Sequence, residues 1–199
     1  MNLARTIKSS AHGWLIRRGV DIRRVRPDRR VLEQQIFPWL LSMPEYRRLL
    51  FVGCAWYTQH YPWLFRQREF WTMECDPNLA RFGGRRHVID TCERVGNHFA
   101  VASLDAVICN GVYGYGLDEA SALDAAIRGF HRVLRPGGLL VFGWNNVPAN
   151  DPLGLESRSS FQGFHHVAVG PLGAGRYEVP SRNRHTFEFL ERAERTAAA

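Results

Sequence analysis

The sequence predicts a doubly wound α/β fold: a mostly parallel sheet with helices on both faces and an antiparallel hairpin at its C-terminal edge. Three observations lead to it. Five short apolar runs, at 48–53, 69–75, 86–90, 104–110 and 138–144, are separated by polar or helical stretches, and that alternation means βαβ units with right-handed crossovers. Between the last two runs lies DEASALDAAIRGFHRVL, in which Ala122, Ala125, Ala126, Gly129, Phe130 and Val133 share one helical face. After Pro148 the texture changes: VPANDPLGLESRSS is loop-like, and the strand-like runs FHHVAV and RYEVP flank a turn rich in Gly and Pro, which suits a closing hairpin.

The elements follow in order. VLEQQIFPWLLSMPEY has helical spacing, interrupted by Pro38 and ended near Pro44, and is expected to cover one side of the sheet. Leu49, Leu50, Phe51 and Val52 read as a buried strand. Gly53 comes next, where a nucleotide loop begins, but Cys54, Ala55, Trp56 and Tyr57 stand where further glycines belong. EFWTMEC, RHVID and LDAVICN supply the next three strands. The long helix is stopped by Pro136-Gly137-Gly138 ahead of GLLVFGW. RHTFEFLERA closes the chain as a last strand or helix. In such a sheet ligands sit beyond the carboxyl ends of the strands. The places to search are therefore Gly53 to Tyr57, Glu74 to Pro77, Asp90 to Cys92, Asn110 to Tyr115, and Trp144 to Asn146.

Length and composition bound the rest. A chain of 199 residues, 45% hydrophobic and 12% aromatic, fits one globular domain with a real core. It is expected to divide into a basic N-terminal arm, 1–30, and a single domain, 31–199. The arm holds nine basic residues against Asp21 and Asp28, which equals the +7 net charge of the whole chain, and the remainder balances. The arm has several readings: a solvated extension, a basic surface for an acidic substrate, acidic partner or anionic membrane, or a mitochondrial presequence. No aromatic-basic interleaving points to nucleic acid. No apolar run approaches the roughly 18 residues of a membrane helix, and no apolar signal core stands at the N-terminus. Cys54, Cys75, Cys92 and Cys109 contain no CxxC pair, so reduced thiols in a cytoplasmic protein and no metal site are expected.

Glu74 carries the first chemistry. It ends the second strand about twenty residues after Gly53, where a carboxylate meets the two ribose hydroxyls of an adenosine-containing cofactor. The alternatives are an ordinary surface acid at Glu74 and a helix cap at Asp76 ahead of Pro77. Asp90, after the third strand, stands where it would cap TCERV.

Together these pieces resemble the class I S-adenosylmethionine-dependent methyltransferases. LLFVGCA is similar to their first motif, TMECDP to their second-strand acid motif, LDAVICNGV to their fourth strand, and FHRVLRPGGLLVFGW to their helix and fifth strand. The resemblance covers roughly 46 to 146. It implies a Rossmann-like fold, S-adenosylmethionine as cofactor, and a cofactor site at Gly53, Cys54, Ala55, Trp56, Tyr57, Glu74, Asp90, Asn110 and Gly111. Asp90 resembles the position that contacts the adenine amino group. The chain departs from the pattern at Phe51, where the family has an acid, and at Ala55 and Tyr57, where it has glycines.

A donor without phosphate tolerates that loop better than a dinucleotide, whose pyrophosphate needs bare backbone amides. An aromatic face at Trp56 or Tyr57 suits a sulfonium, worth about 0.5–2 kcal/mol when desolvated. Asn110 and Tyr113 are the candidate catalytic residues. Their Asn-x-x-Tyr is similar to the Asn-Pro-Pro-Tyr of amino-methyltransferases, with Gly111-Val112 replacing the prolines. His131 reads as structural, and His165 and His166 as a surface strand or a substrate-facing pair. The expected function is methyl transfer to a small-molecule acceptor, with the arm and 147–175 forming a lid. The alternative is a non-catalytic protein of this fold that serves as scaffold or partner of a biosynthetic enzyme. A nicotinamide-dependent oxidoreductase comes third.

Overall fold

A computed structural model of the chain describes residues 26–147 and 159–193. Most of the arginine-rich arm and of the loop-like run after Pro148 lies outside the described residues. The strands are β1 (Arg48–Val52), β2 (Glu69–Glu74), β3 (Arg86–Ile89), β4 (Leu104–Asn110), β5 (Leu134–Asn145), β6 (Phe164–His166), β7 (Arg176–Glu178) and β8 (His185–Arg192). They form one sheet in the order β3-β2-β1-β4-β5-β8-β6, with β7 also on β8. β1 to β5 run parallel, while β8 runs antiparallel to β5, β6 and β7. This is the doubly wound, mostly parallel architecture with an antiparallel C-terminal part. The last segment is a strand and not a helix, and it lies directly against β5. The runs around β6 and β7 both pair with it.

Each parallel strand feeds two cores because alternate side chains point to opposite faces. Leu50 and Val52 join Val107, Leu140 and Phe142 against Leu123, Ile127 and Phe130 of α3 (Ala120–Val133). Leu49 and Phe51 join Ile108, Val141, Phe187 and Phe189 on the other face. There they meet Leu32, Ile36, Phe37 and Leu40 of the N-terminal helical run, α1 (27–42), together with Tyr61 of the short α2 (Tyr61–Leu64).

α1 is continuous across three segments, Pro27–Val31, a π-turn at Leu32–Ile36, and Phe37–Ser42. The helix therefore passes through Pro38 without the expected break. Proline removes an amide and crowds the carbonyl four residues back. Here the wider turn just before Pro38, with the Phe37 N–H donating to Leu32 O, relieves that conflict. Pro27–Arg30 at the end of the arginine-rich stretch are helical, and Asp28 among them is buried.

At the sheet edge opposite the strand carboxyl ends, Asp105 gathers three elements. Its Oδ2 accepts the Arg47 and Arg48 amides at 2.9 and 2.8 Å, and its Oδ1 accepts Arg135 Nε at 2.8 Å. β1, β4 and β5 are thus fixed at one end, and their other ends are left to build a cleft.

Candidate functional site

A cleft of about 630 Å³ opens at the carboxyl ends of β1, β2, β4 and β5, and α1 and the start of β8 complete its wall. Gly53 begins the loop after β1 with φ +90, a backbone conformation that side chains strain. The loop beyond is tied by side chains in place of glycines. The buried Thr58 hydroxyl accepts the Ala55 amide and donates to the Ala55 carbonyl, both at 2.9 Å. Gln59 Nε2 donates to Trp56 O at 2.6 Å. Trp56 lies edge-on to Tyr57 with centroids 5.5 Å apart, and the Arg29 guanidinium of α1 stacks 4.5 Å from the Tyr57 centroid. Both rings line the cleft, which keeps its volume beside them.

Glu74 sits below this loop and stitches it to β2. Its Oε2 accepts the Cys54 amide at 2.7 Å, and its Oε1 accepts the Asp76 amide at 3.0 Å and the Cys75 thiol at 3.4 Å. A carboxylate has about four acceptor positions, so Oε2 retains one, and Oε1 would gain one only by giving up the weaker thiol contact. Asp90 is engaged as well. His98 Nε2 lies 2.7 Å from its Oδ2, and its Oδ1 accepts the Thr91 amide at 2.9 Å. The His98 contact holds its carboxyl below the usual range. The 3₁₀ turn Cys92–Asn97 starts from Thr91 as its N-cap, with no side-chain cap bond.

The sequence-predicted residues Gly53, Cys54, Ala55, Trp56, Tyr57, Glu74, Asp90, Asn110 and Gly111 all line this one cleft. Tyr113 is not among the lining residues. Its half-buried ring packs against the core at Phe142, with centroids 6.1 Å apart. His131 lies edge-on to Phe164 at 5.3 Å. His165 and His166 pair with Glu191 and Glu188 at 3.3 and 2.9 Å, away from the cleft. Phe51 also lies away from the cleft, at 5.0 Å from the Tyr61 ring centroid in the aromatic core. Cys54, Cys92 and Cys109 are buried, and burial pushes the Cys54 and Cys109 thiols up to about 12. Among the described residues no group of three or more His, Cys, Asp and Glu side chains is disposed to hold a metal.

The structure adds residues that sequence reasoning missed. Arg26, Asp28, Arg29 and Glu33 reach the cleft from α1. Arg29 Nη1 donates to the Tyr61 hydroxyl at 3.1 Å, which donates to Glu33 Oε1 at 2.8 Å. His185, 4% exposed, enters from β8. Its Nδ1 lies 2.8 Å from Asn145 Oδ1 and its Nε2 lies 2.9 Å from Asn110 Oδ1, while Asn145 Nδ2 donates to the Tyr115 hydroxyl at 3.1 Å. Burial pushes the His185 imidazole down to about 4. No local signal marks this histidine, because the partner it serves lies on a strand far earlier in the chain.

No protein-family model matches the chain, and no curated protein matches it significantly. Solved structures do. The N-methyltransferase NodS from Bradyrhizobium japonicum WM9, in complex with S-adenosylhomocysteine, superposes with a TM-score of 0.62 at 18% identity, covering 88% of this chain and 91% of that one. A TehB-like S-adenosylmethionine-dependent methyltransferase from Corynebacterium glutamicum gives 0.59 at 15%, covering 97% and 100%. The 16S rRNA methyltransferase RsmC of Thermus thermophilus, solved with S-adenosylmethionine and guanosine, gives 0.52 at 16%, covering 80% of this chain and 39% of that one. At these identities the likeness establishes a shared fold. Among the described residues no helix is long and apolar enough to cross a membrane.

Proposed function

We propose that this chain, whose fold is that of the class I S-adenosylmethionine-dependent methyltransferases, binds S-adenosylmethionine in the cleft and catalyses methyl transfer to a small-molecule acceptor. The observation that carries this reading is Glu74: at the cleft end of β2 its Oε2 accepts the Cys54 amide alone and keeps room for one more donor, while its Oε1 holds the Asp76 amide and the weaker Cys75 thiol. One ribose hydroxyl would donate to Oε2, and the second would replace the thiol on Oε1. The loop from Gly53 to Tyr57 would receive the amino-acid end, with the Arg29 guanidinium close by for its carboxylate. Asp90 and Gly111 would border the remaining parts.

Bound S-adenosylmethionine supplies a methyl group already activated on a sulfonium. The protein's task is then to align the acceptor and exclude water. Trp56 and Tyr57 support this reading as walls of the cleft that do not fill it. A volume of about 630 Å³ is in the range of ligand sites. A small acceptor is favoured over a nucleic acid because the cleft is lined by Asp28, Glu33, Glu74, Asp90 and Glu93 against Arg26 and Arg29, a surround that a phosphate backbone would oppose. The rival reading, a non-catalytic partner protein, leaned on Phe51 and the aromatic loop. Phe51 has its own use in the core, and the loop leaves the cleft open.

Titration calorimetry tests the proposal. S-adenosylhomocysteine and S-adenosylmethionine are expected to bind the parent. Glu74→Ala should weaken both by about 10- to 100-fold, the loss of hydrogen bonds to a charged group. Absence of binding at millimolar ligand overturns the proposal, and an unchanged affinity in a folded Glu74→Ala variant overturns the ribose assignment.

A further inference from the structure

β3 ends the sheet, and its outer side has no strand beside it. It pairs with β2 alone, and among the described residues no other backbone-to-backbone hydrogen bond reaches Arg86–Ile89. An edge strand of this kind presents a row of N–H and C=O groups on which another chain can pair. Ile89, 53% exposed at the end of the strand, adds an apolar side chain to that row.

The charge around the edge has one sign. From Pro77 to Ile89 the chain carries Arg81, Arg85 and Arg86 and no acid. All three are exposed, and among the described residues none of them forms an ion pair. Arg81 lies over the Phe82 ring, 4.7 Å from its centroid. Glu69, which feels the charge of Arg86, is already held by Arg48 Nη2 at 3.2 Å and Trp71 Nε1 at 3.0 Å. Like charge keeps identical edges apart, so two copies meeting here would set arginine against arginine. The N-terminal arm is basic too and is opposed in the same way. A nucleic acid would use the arginines but leave the backbone row and Ile89 unused. An acidic extended segment answers all three features.

We infer that the free edge of β3 is the docking site of an acidic partner protein, which adds a strand to the sheet. Its main chain hydrogen-bonds to β3, its carboxylates meet Arg81, Arg85 and Arg86, and an apolar side chain covers Ile89. β3 runs on into Asp90, which lines the cleft, so the partner stands beside the cleft without entering it. The inference does not depend on the methyl-donor reading.

The probe is a short labelled peptide of alternating Glu and Val, added to the full chain. Fluorescence anisotropy should show binding. A Lys-Val peptide, and a Glu-Val peptide methylated on alternate backbone nitrogens, should each lose about tenfold in affinity. The double variant Arg81→Glu/Arg85→Glu, whose residues do not line the cleft, should lose about as much while its thermal midpoint stays at the parent's value. Hydrogen exchange should show the amides of 86–89 slowed by the peptide and those of β6, at the other edge, unchanged. Absence of binding at millimolar peptide, equal binding of the methylated peptide, or unslowed exchange at 86–89 overturns the proposal. Three other occupants would overturn it as well. An oligouridylate that binds the parent more tightly than the peptide and is weakened by the double variant assigns the edge to nucleic acid. A parent dimer in sedimentation that the double variant dissociates assigns it to a second copy. Amides of β3 as slow as those of β2 in the free chain assign it to the chain itself.

Discussion

His185 links the cleft to the stability of the whole chain through its proton. In the unfolded chain it binds a proton as the pH falls through about 6.5, and in the folded protein, where burial disfavours the cation, it does so only near 4. Between those values the unfolded state holds more protons, so acid favours unfolding. The contribution is fully present above pH 6.5 and is lost progressively down to about 4, on the order of 3 kcal/mol in total. Thermal unfolding followed from pH 7 to 4.5 should show this fall, and a His185→Leu variant should show a flatter profile. His87 and His131 are also lowered by burial and act in the same direction. Glu74 and Asp90 illustrate the other residue-scale lesson. Both are strand-end acids, but Glu74 is held by two loop amides and a weak thiol donor, whereas Asp90 is held by the His98 ring and the Thr91 amide.

Among the elements, β1 shows why the position of a few hydrogen bonds matters more than their number. Its start is anchored through Asp105, remote from the cleft, and its end is anchored by Gly53 N–H donating to Met73 O at 2.9 Å. Asp105→Ala removes the acceptor for two backbone amides and for Arg135. It should lower stability by about 2–3 kcal/mol in denaturant unfolding while leaving the S-adenosylhomocysteine affinity of the folded protein unchanged. α1 works differently. Its apolar side closes one core, and its first turn brings Asp28 and Arg29 to the cleft. The π-turn before Pro38 lets that helix run on past the proline, so one element serves as both cleft wall and core.

At the scale of the molecule, β8 joins the two halves of the fold. It pairs with β5 over seven register positions from Leu139 to Asn145 and carries β6 and β7 on its other edge. Its alternating residues enter both cores, Phe187 and Phe189 on one face and Leu190 on the other. The centre of the sheet, β1, β4, β5 and β8, is therefore the region where local opening requires the most apolar exposure. Hydrogen exchange should show amides of these strands protected to the limit of global unfolding. Those of β3, at the edge with Ile89 exposed, should exchange sooner. Equal protection across all strands would contradict this order.

The sequence by itself determined the parallel strands, α3, the place of the cleft at the strand ends, and the nine residues that were expected to share it. The strands, α3 and the place of the cleft follow from local regularities: alternating or continuous apolar runs, the face of α3, and the Pro136-Gly137-Gly138 stop; the nine residues were what the resemblance to methyltransferase motifs implied. Only the tertiary structure decided that helix α1 continues through Pro38, that the last segment pairs with β5, that Tyr113 packs inward, and that His185 stands against Asn110. Those outcomes depend on which distant surfaces meet, and a side chain 75 positions away in the chain leaves no trace in the local pattern of either segment. Element identity is a short-range property of burial and backbone preference, whereas the polar contacts of a cleft are set by long-range register.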